Sequence, residues 1–185
     1  VKYEVSLAQL HLNATAIGTS IGLLQQASDS AQKAILILHR LRDKDPGNLK
    51  YQTDLARALH NLADAERRLQ HRETALRTIQ LAIQEKQRIV DQSPEDKYRH
   101  LLLSSRIVYA DLMRDAKQTI PALEQYRDIY GTARELVEKN PGLYIRWEGQ
   151  TQRNQESFSS LFSGVMVALL AMFVLLTVEF RTYMQ

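Results

Sequence analysis

Residues 51–92 read as two long helices folded back on each other, and this hairpin constrains the fold more than any other stretch. Apolar residues recur every three or four positions in each half, which is the spacing of one helix face. A polar break at residues 70–72 separates the halves, and Pro46 and Pro94 flank the hairpin, where proline ends a helix and presets the next turn. The stripes consist of Leu55, Leu59, Leu62, Ala65 and Leu69, and then Ala75, Leu76, Ile79, Ala82, Ile83, Ile89 and Val90.

The same two-helix pattern recurs along the chain with a spacing of 47 to 48 residues. The Lys-Tyr pair at residues 50–51 returns at 97–98 and also stands at 2–3. A repeated unit of two helices predicts an all-α solenoid, because each hairpin buries its apolar face by stacking on the next. The predicted units are residues 1–44, 45–92 and 93–140. Apolar positions that match at an offset of 47 are Ala75 with Ala122, Leu76 with Leu123, Ile79 with Tyr126, Ile83 with Tyr130, Ile89 with Leu136, and Val90 with Val137.

The first predicted unit follows the pattern less regularly. We place the break between its helices at residues 25–30, where Ser28 or Ser30 is a candidate cap for the second helix. Gly18 and Gly22 lie in the first helix, where each costs about 1 kcal/mol relative to alanine, so we expect this helix to bend or fray. The expected buried stripes are Leu7, Leu10, Ala14, Ile17 and Ile21, and then Ala31, Ala34, Ile35, Leu38 and Leu41.

The hairpins resemble tetratricopeptide repeats (TPR). The resemblance rests on the Asp-Pro-Gly-Asn segment at residues 45–48, on alanine at the start of the second helix, and on proline after its end. The usual unit has about 34 residues, so this one is longer by about two turns per helix, and the signature tryptophan and Leu-Gly pair are absent. Elongated repeats of bacterial signalling proteins are the most similar. The resemblance covers residues 1–143 and implies a protein or peptide partner on a concave face, but it transfers no binding residue.

A run of 18 residues without a charge, 161–178, predicts one C-terminal transmembrane helix, since about 20 apolar residues span a bilayer. A polar linker at 144–160 precedes this helix and a short tail at 179–185 follows it. A buried core helix is the alternative, although no other segment is apolar enough to surround it. Around the span we expect an interfacial aromatic belt with a snorkelling arginine. These membrane-interface residues are Trp147, Phe158, Phe180, Arg181 and Tyr183.

The same tail resembles a segment of the resistance-nodulation-division (RND) efflux transporters. The likeness rests on Trp-Glu-Gly-Gln at residues 147–150, the glutamine-rich run after it, and the stretch from Ala168 to Gln185. In that family such a segment leaves the second large periplasmic loop and enters the next membrane helix. The likeness covers residues 141–185 and lacks the helices with the family's proton-relay carboxylates and lysine. The two resemblances meet near Pro141, which leaves a fragment or a chimera as an open alternative.

Composition narrows the classes of function. The 24 basic and 21 acidic residues nearly balance, which argues against a nucleic-acid partner, and the lack of cysteine excludes disulfides and thiolate chemistry. The chain starts at Val1 without a visible signal peptide, and we interpret it as a piece of a longer protein. It contains no glycine-rich phosphate loop and no Gly-x-Ser-x-Gly elbow. We therefore predict no catalytic residue, no cofactor and no enzyme.

Four groups of charged or aromatic residues have both a functional and a structural interpretation. The histidines have no metal-ligand spacing, since the break at residues 70–72 separates His60 from His71, and we predict no metal site. A basic cluster begins with Arg67, Arg68 and Arg72; a solvated helix face is favoured over a site for an acidic peptide or a lipid headgroup. Four tyrosines at repeat spacing are expected to pack in the core: Tyr98, Tyr109, Tyr126 and Tyr130. The basic cluster also includes Glu66, Arg77 and Arg88. The last group consists of acids that are expected to be surface charges: Asp111, Asp115, Glu124 and Asp128.

These observations favour a membrane-anchored helical-repeat adaptor for protein–protein interaction. The alternative is a component or fragment of an RND-type permease, or association with such a transporter. We expect a single-pass protein of a bacterial inner membrane. Its orientation stays open, because arginines on both sides of the span favour an inside N-terminus only weakly, whereas the transporter resemblance implies the opposite.

Overall fold

The computed structural model describes residues 2–139, and this part of the chain consists of α-helices without a strand. The predicted all-α class is therefore confirmed for these residues. None of the helices described is long and apolar enough to cross a membrane. The predicted span at 161–178, its linker and tail, and the interface residues Trp147, Phe158, Phe180, Arg181 and Tyr183 all lie outside the described residues. The helices are α1 (Lys2–Ile21), α2 (Leu24–Lys44), α3 (Leu49–Arg68), α4 (Arg72–Gln92), α5 (Asp96–Asp115) and α6 (Thr119–Lys139).

The helix bounds repeat with the spacing that the sequence predicts. Helices α1, α3 and α5 have 20 residues each and begin at residues 2, 49 and 96. Helices α2, α4 and α6 have 21 residues each and begin at residues 24, 72 and 119. Successive units are thus displaced by 47 or 48 residues at every boundary.

Each hairpin turns at one residue with a positive φ. Gly22, Gln70 and Lys117 have φ of 85°, 65° and 63°, and each follows the last residues of the first helix in its hairpin. Each turn also has a backbone hydrogen bond from the next N–H to a carbonyl five residues earlier, as in a Schellman motif. The donor and acceptor residues are Leu23 and Gly18, His71 and Glu66, and Gln118 and Met113, with N···O distances of 2.8, 2.9 and 2.9 Å.

The predicted break at residues 25–30 is wrong. The first turn lies at Gly22, and residues 25–30 belong to α2, where Ser28 is buried and makes no helix cap. Glycine enters the left-handed region without the steric cost of a Cβ atom, so Gly22 ends α1 and does not weaken its interior. The glycine that suggested a bend is therefore the residue that makes the turn.

The predicted buried face of α1 is also wrong. Leu10, Ile17 and Ile21 are more than half exposed, whereas Leu12 and small residues such as Gly18 form the buried face. A Cβ atom on Gly18 would lie 3.2 Å from the Cβ of Ala27, which shows how closely α1 and α2 approach. Small side chains set this contact, because large ones would keep the two backbones apart.

Each helix packs against the next along the chain, and α3 also contacts α1 and α5. The first helices of the hairpins thus lie side by side. The second helices α2 and α4 do not pack backbone against backbone, but an ion pair between Arg42 and Glu85 at 3.3 Å connects them. One apolar core runs from α1 to α5 between them. Its largest buried members include Leu38, Leu41, Leu55, Ile79 and Leu112.

Candidate functional site: a groove between two helices

A groove lies between α3 and α5, and α4 closes its inner end. Its inner cavity has a volume of about 310 Å³ and continues into an outer, more open part of about 790 Å³. We call the two parts together the α3–α5 groove. The inner cavity is lined by Thr53, Asp54, Ala56, Arg57, His60, Lys86, Ile89, Tyr98, Leu101 and Ser104. The outer part shares Thr53, Asp54, Tyr98 and Leu101 with it and adds Lys50, Asp96, Lys97 and His100.

Helical spacing brings these side chains to one place. On α3, the lining residues Lys50, Asp54, Arg57 and His60 lie three or four positions apart, which places them on one face. On α5, Tyr98, Leu101 and Ser104 follow the same rule, and Lys86 and Ile89 do so on α4. Since α3 contacts both α4 and α5, these three faces converge.

Lys86 is a buried cation at the inner end of the groove. Only 4% of the residue is exposed. Its Nζ donates hydrogen bonds to the carbonyl oxygen of Leu101 at 2.8 Å and to the hydroxyls of Ser105 at 2.6 Å and Ser104 at 3.4 Å. All three acceptors are on α5, so the ammonium group ties α4 to that helix.

No carboxylate in the described part of the chain compensates the charge of Lys86. Its hydrogen-bond acceptors are neutral, and burial lowers the pKa of Lys86 from 10.5 to about 8. A buried ammonium group is costly unless an anion pairs with it. Within residues 2–139, Lys86 is therefore a buried positive charge without a counter-ion.

His60 extends this network to α3. Its Nδ1 lies 2.9 Å from the hydroxyl oxygen of Ser105. Burial, and secondarily the charge of Lys86, lowers the pKa of His60 to about 4, so the ring is neutral at pH 7. In the neutral tautomer with its proton on Nε2, Nδ1 of His60 accepts from the Ser105 hydroxyl, whose oxygen accepts from Lys86. Ser105 is fully buried and does not line the cavity, which makes its role a positioning one.

The rim of the groove is charged and largely paired. Asp54 accepts from Lys50 and from Arg57, each at 3.0 Å. Lys97 pairs with Glu95 at 2.7 Å and lies 4.7 Å from the centroid of the Tyr98 ring. Four lining side chains are basic and two are acidic, so the groove has an excess of positive charge.

The four tyrosines predicted to pack in the core have different environments. Tyr109 packs against the core, and Tyr98 lines the groove. Tyr126 donates a hydrogen bond to Asp111, and burial together with this carboxylate raises the pKa of Tyr126 to about 12. Tyr130 is 60% exposed, so the core prediction is wrong there, because no further helix of the described part covers that face of α6.

The arginines of the predicted basic cluster differ in their surroundings. Arg68, Arg72 and Arg77 are exposed, and Arg67 forms an ion pair with Asp64 at 2.7 Å. Glu66, by contrast, is buried, which raises its pKa, and within residues 2–139 its Oε2 has no hydrogen-bond partner. The solvated-face interpretation holds for the arginines but misses the burial of this glutamate.

The histidines are separated as the sequence indicates. His60 lies on α3 against the core, whereas His71 is exposed immediately before α4. Among residues 2–139, no three His, Cys, Asp or Glu side chains are arranged to hold a metal ion.

Sequence reasoning missed Lys86 and the two serines of α5. One signal was present, because Lys86 falls on the apolar stripe of α4 between Ala82 and Ile89, at spacings of four and three. A charged residue at such a position is buried by its neighbours. The serines carried no signal, since serine is common on exposed helix faces.

Comparison with protein-family models, with curated proteins and with solved structures finds no match to this chain.

Proposed function

We propose that this chain is a membrane-anchored helical-repeat scaffold and that it binds a segment of a partner protein in the α3–α5 groove. The observation that carries the proposal is the groove itself, a continuous concave site between the equivalent helices of two successive units. In this proposal the units stack as a TPR-like solenoid, and the predicted helix at 161–178 anchors it in a bacterial inner membrane.

The dimensions of the groove suit a short peptide segment. Its lining on α3 runs from Lys50 to His60, and ten helical residues rise about 15 Å. An extended peptide advances about 3.3 Å per residue, so four or five residues fit along this length. The inner cavity of about 310 Å³ lies at the lower end of the range for ligand sites and accepts one large side chain.

The chemistry of the lining supports a protein partner. Tyr98 and Leu101 supply apolar contact area between charged residues, and aromatic anchors of this kind carry much of the binding energy in protein interfaces. Four basic against two acidic side chains favour a partner segment with net negative charge.

A peptide-display screen on the full chain in lipid nanodiscs tests this proposal. We expect enriched peptides to bind the wild-type chain and to lose about tenfold or more in affinity to a Tyr98→Ala/Leu101→Ala variant, since deleting two contact side chains removes at least 1.4 kcal/mol. Leu36→Ala is the matched control, because Leu36 is 65% exposed on α2 and does not line the groove.

Two results would contradict the proposal. One is a screen that enriches no peptide, and the other is an enriched peptide that binds the groove variant as tightly as the wild type. Co-purification with a large permease through contacts that the groove variant leaves unchanged would favour the transporter alternative.

A further inference from the structure

We propose that Lys86 binds an acidic side chain of the partner segment, so that the ligand supplies the counter-ion that the fold omits. This inference rests on the proposed function and specifies what the inner cavity recognises. It starts from the arrangement of Lys86, which lines the cavity, is buried, and has only neutral acceptors.

A lone buried cation destabilises the fold, whereas a carboxylate brought next to it restores an ion pair in surroundings that screen charge poorly. Burial already excludes most of the solvent from Lys86, which is only 4% exposed. A carboxylate that enters it gains more from the pairing than one on an open surface, where ion pairs contribute little.

The Nζ of Lys86 uses its three hydrogens on Leu101, Ser105 and Ser104, and the last contact is long at 3.4 Å. Ser104 lines the cavity and donates its own hydrogen to the carbonyl of Leu101 at 2.7 Å. A carboxylate oxygen can therefore replace Ser104 at Nζ, because a charge-assisted bond is stronger than this long contact.

Asp54 also lines the cavity and carries a negative charge. Lys50 and Arg57 both pair with Asp54, so an incoming carboxylate is not strongly repelled. His60, with its pKa lowered to about 4, is neutral at pH 7. Among the described residues that line the cavity, the unpaired charge is therefore that of Lys86.

A cycle of protein and peptide variants tests the inference on the full chain in nanodiscs. The probe is a groove-binding peptide from the display screen, compared with versions in which each Glu or Asp becomes Gln or Asn. We expect one such replacement to weaken binding to the wild type about tenfold, which is typical of a lost charge-assisted contact. Lys86→Met should bind both forms equally, and Lys33→Met, at an exposed lysine of α2 outside the groove, should discriminate like the wild type.

Proton uptake gives a second readout that a purely structural lysine would not produce. At pH 8.5 more than half of the Lys86 side chains are neutral, so binding of a carboxylate should draw a proton onto Nζ. Titration calorimetry in buffers of different ionisation enthalpy measures this uptake. It applies to the wild type even if Lys86→Met fails to fold.

The outcomes separate the two proposals. If peptides bind the groove but acidic residues do not strengthen their binding, the role of Lys86 is overturned. The same holds if the Lys86→Met variant keeps the preference for acidic peptides. Both results leave the scaffold function standing. A screen without groove-binding peptides overturns both. Millimolar acetate or succinate is then added as a competitor. If it abolishes the preference for acidic peptides, the site belongs to a free small carboxylate, and the proposal that a peptide supplies the carboxylate is overturned.

Discussion

At the scale of single residues, Lys86 and His60 make the stability of the fold depend on pH. Both bases have pKa values below those of the unfolded chain, so the unfolded state binds protons that the folded state does not. The contribution of Lys86 to the free energy of unfolding changes between pH 8 and 10.5, and that of His60 changes between pH 4 and 6.5. Stability therefore rises with pH in each window.

For Lys86, we expect the free energy of unfolding to increase by up to about 3 kcal/mol between pH 8 and 10.5, from 1.36 kcal/mol per pKa unit. Urea denaturation at pH 7.5 and pH 10 measures it. Lys86→Met should remove most of the increase, and Lys33→Met should retain it. An equal increase in the wild type and in Lys86→Met would contradict the assignment.

For His60, we expect the wild type to lose up to about 3 kcal/mol of stability as the pH falls from 6.5 to 4, because unfolding frees the ring to take up a proton. His60→Gln should lose less over the same range. His71→Gln is the control, since His71 is exposed. The difference in stability loss between the two variants separates the contribution of His60 from that of carboxylates, which titrate in the same pH range.

At the scale of helices and turns, the sequence predicted the period but not every face. The stripes of α3 and α4 are large and regular, and they are buried or half-buried where expected. In α1 most of the regular stripe is exposed, although Leu7 packs against the core. The reason is that Gly18 and Ala27 form a close contact between the helices that only small side chains allow. Hydrophobic periodicity predicts where large apolar side chains lie, whereas the distance between two helix backbones depends on where the side chains are small.

The three turns provide a matched test of backbone strain. Gln70 and Lys117 have positive φ with a Cβ atom, whereas Gly22 has the same conformation without one. We expect Gln70→Gly to stabilise the chain by about 0.5–1 kcal/mol and Gly22→Ala to destabilise it by about 1 kcal/mol. Nothing lies within 4 Å of a Cβ at Gly22, so packing does not enter. Chemical denaturation reports both changes, and a destabilised Gln70→Gly would refute the strain argument.

At the scale of the whole described part, each helix contacts mainly the helices that are next to it along the chain. Helix α3 contacts α1, α2, α4 and α5, whereas α6 contacts only α5 among the described helices. Leu76 and Ile83 of α4 pack against the core, but their counterparts Leu123 and Tyr130 in α6 are 61% and 60% exposed. Stability in such an arrangement is the sum of local and nearest-neighbour terms, and it decreases toward a helix with one neighbour.

Hydrogen exchange on the full chain tests this ordering. We expect the amides of α3 to exchange slowest and those of α6 fastest, because opening α6 breaks one helix contact and opening α3 breaks four. Mass spectrometry of peptic fragments resolves the two helices. Protection of α6 equal to that of α3 would mean that the exposed face of α6 is covered, and the ordering would be wrong.

The low pKa of Lys86 also makes this side chain a chemical reporter. At pH 7 about one in ten side chains with a pKa near 8 is neutral and nucleophilic, against fewer than about one in a thousand for an ordinary lysine. A small acylating reagent that enters the inner cavity would thus react at Lys86 far faster per encounter than at the exposed lysines. An anion seated in the cavity would raise the pKa of Lys86, so that the amine takes up a proton from solvent, and it would block access of the reagent. The labelling rate at this one residue would therefore report occupancy of the groove.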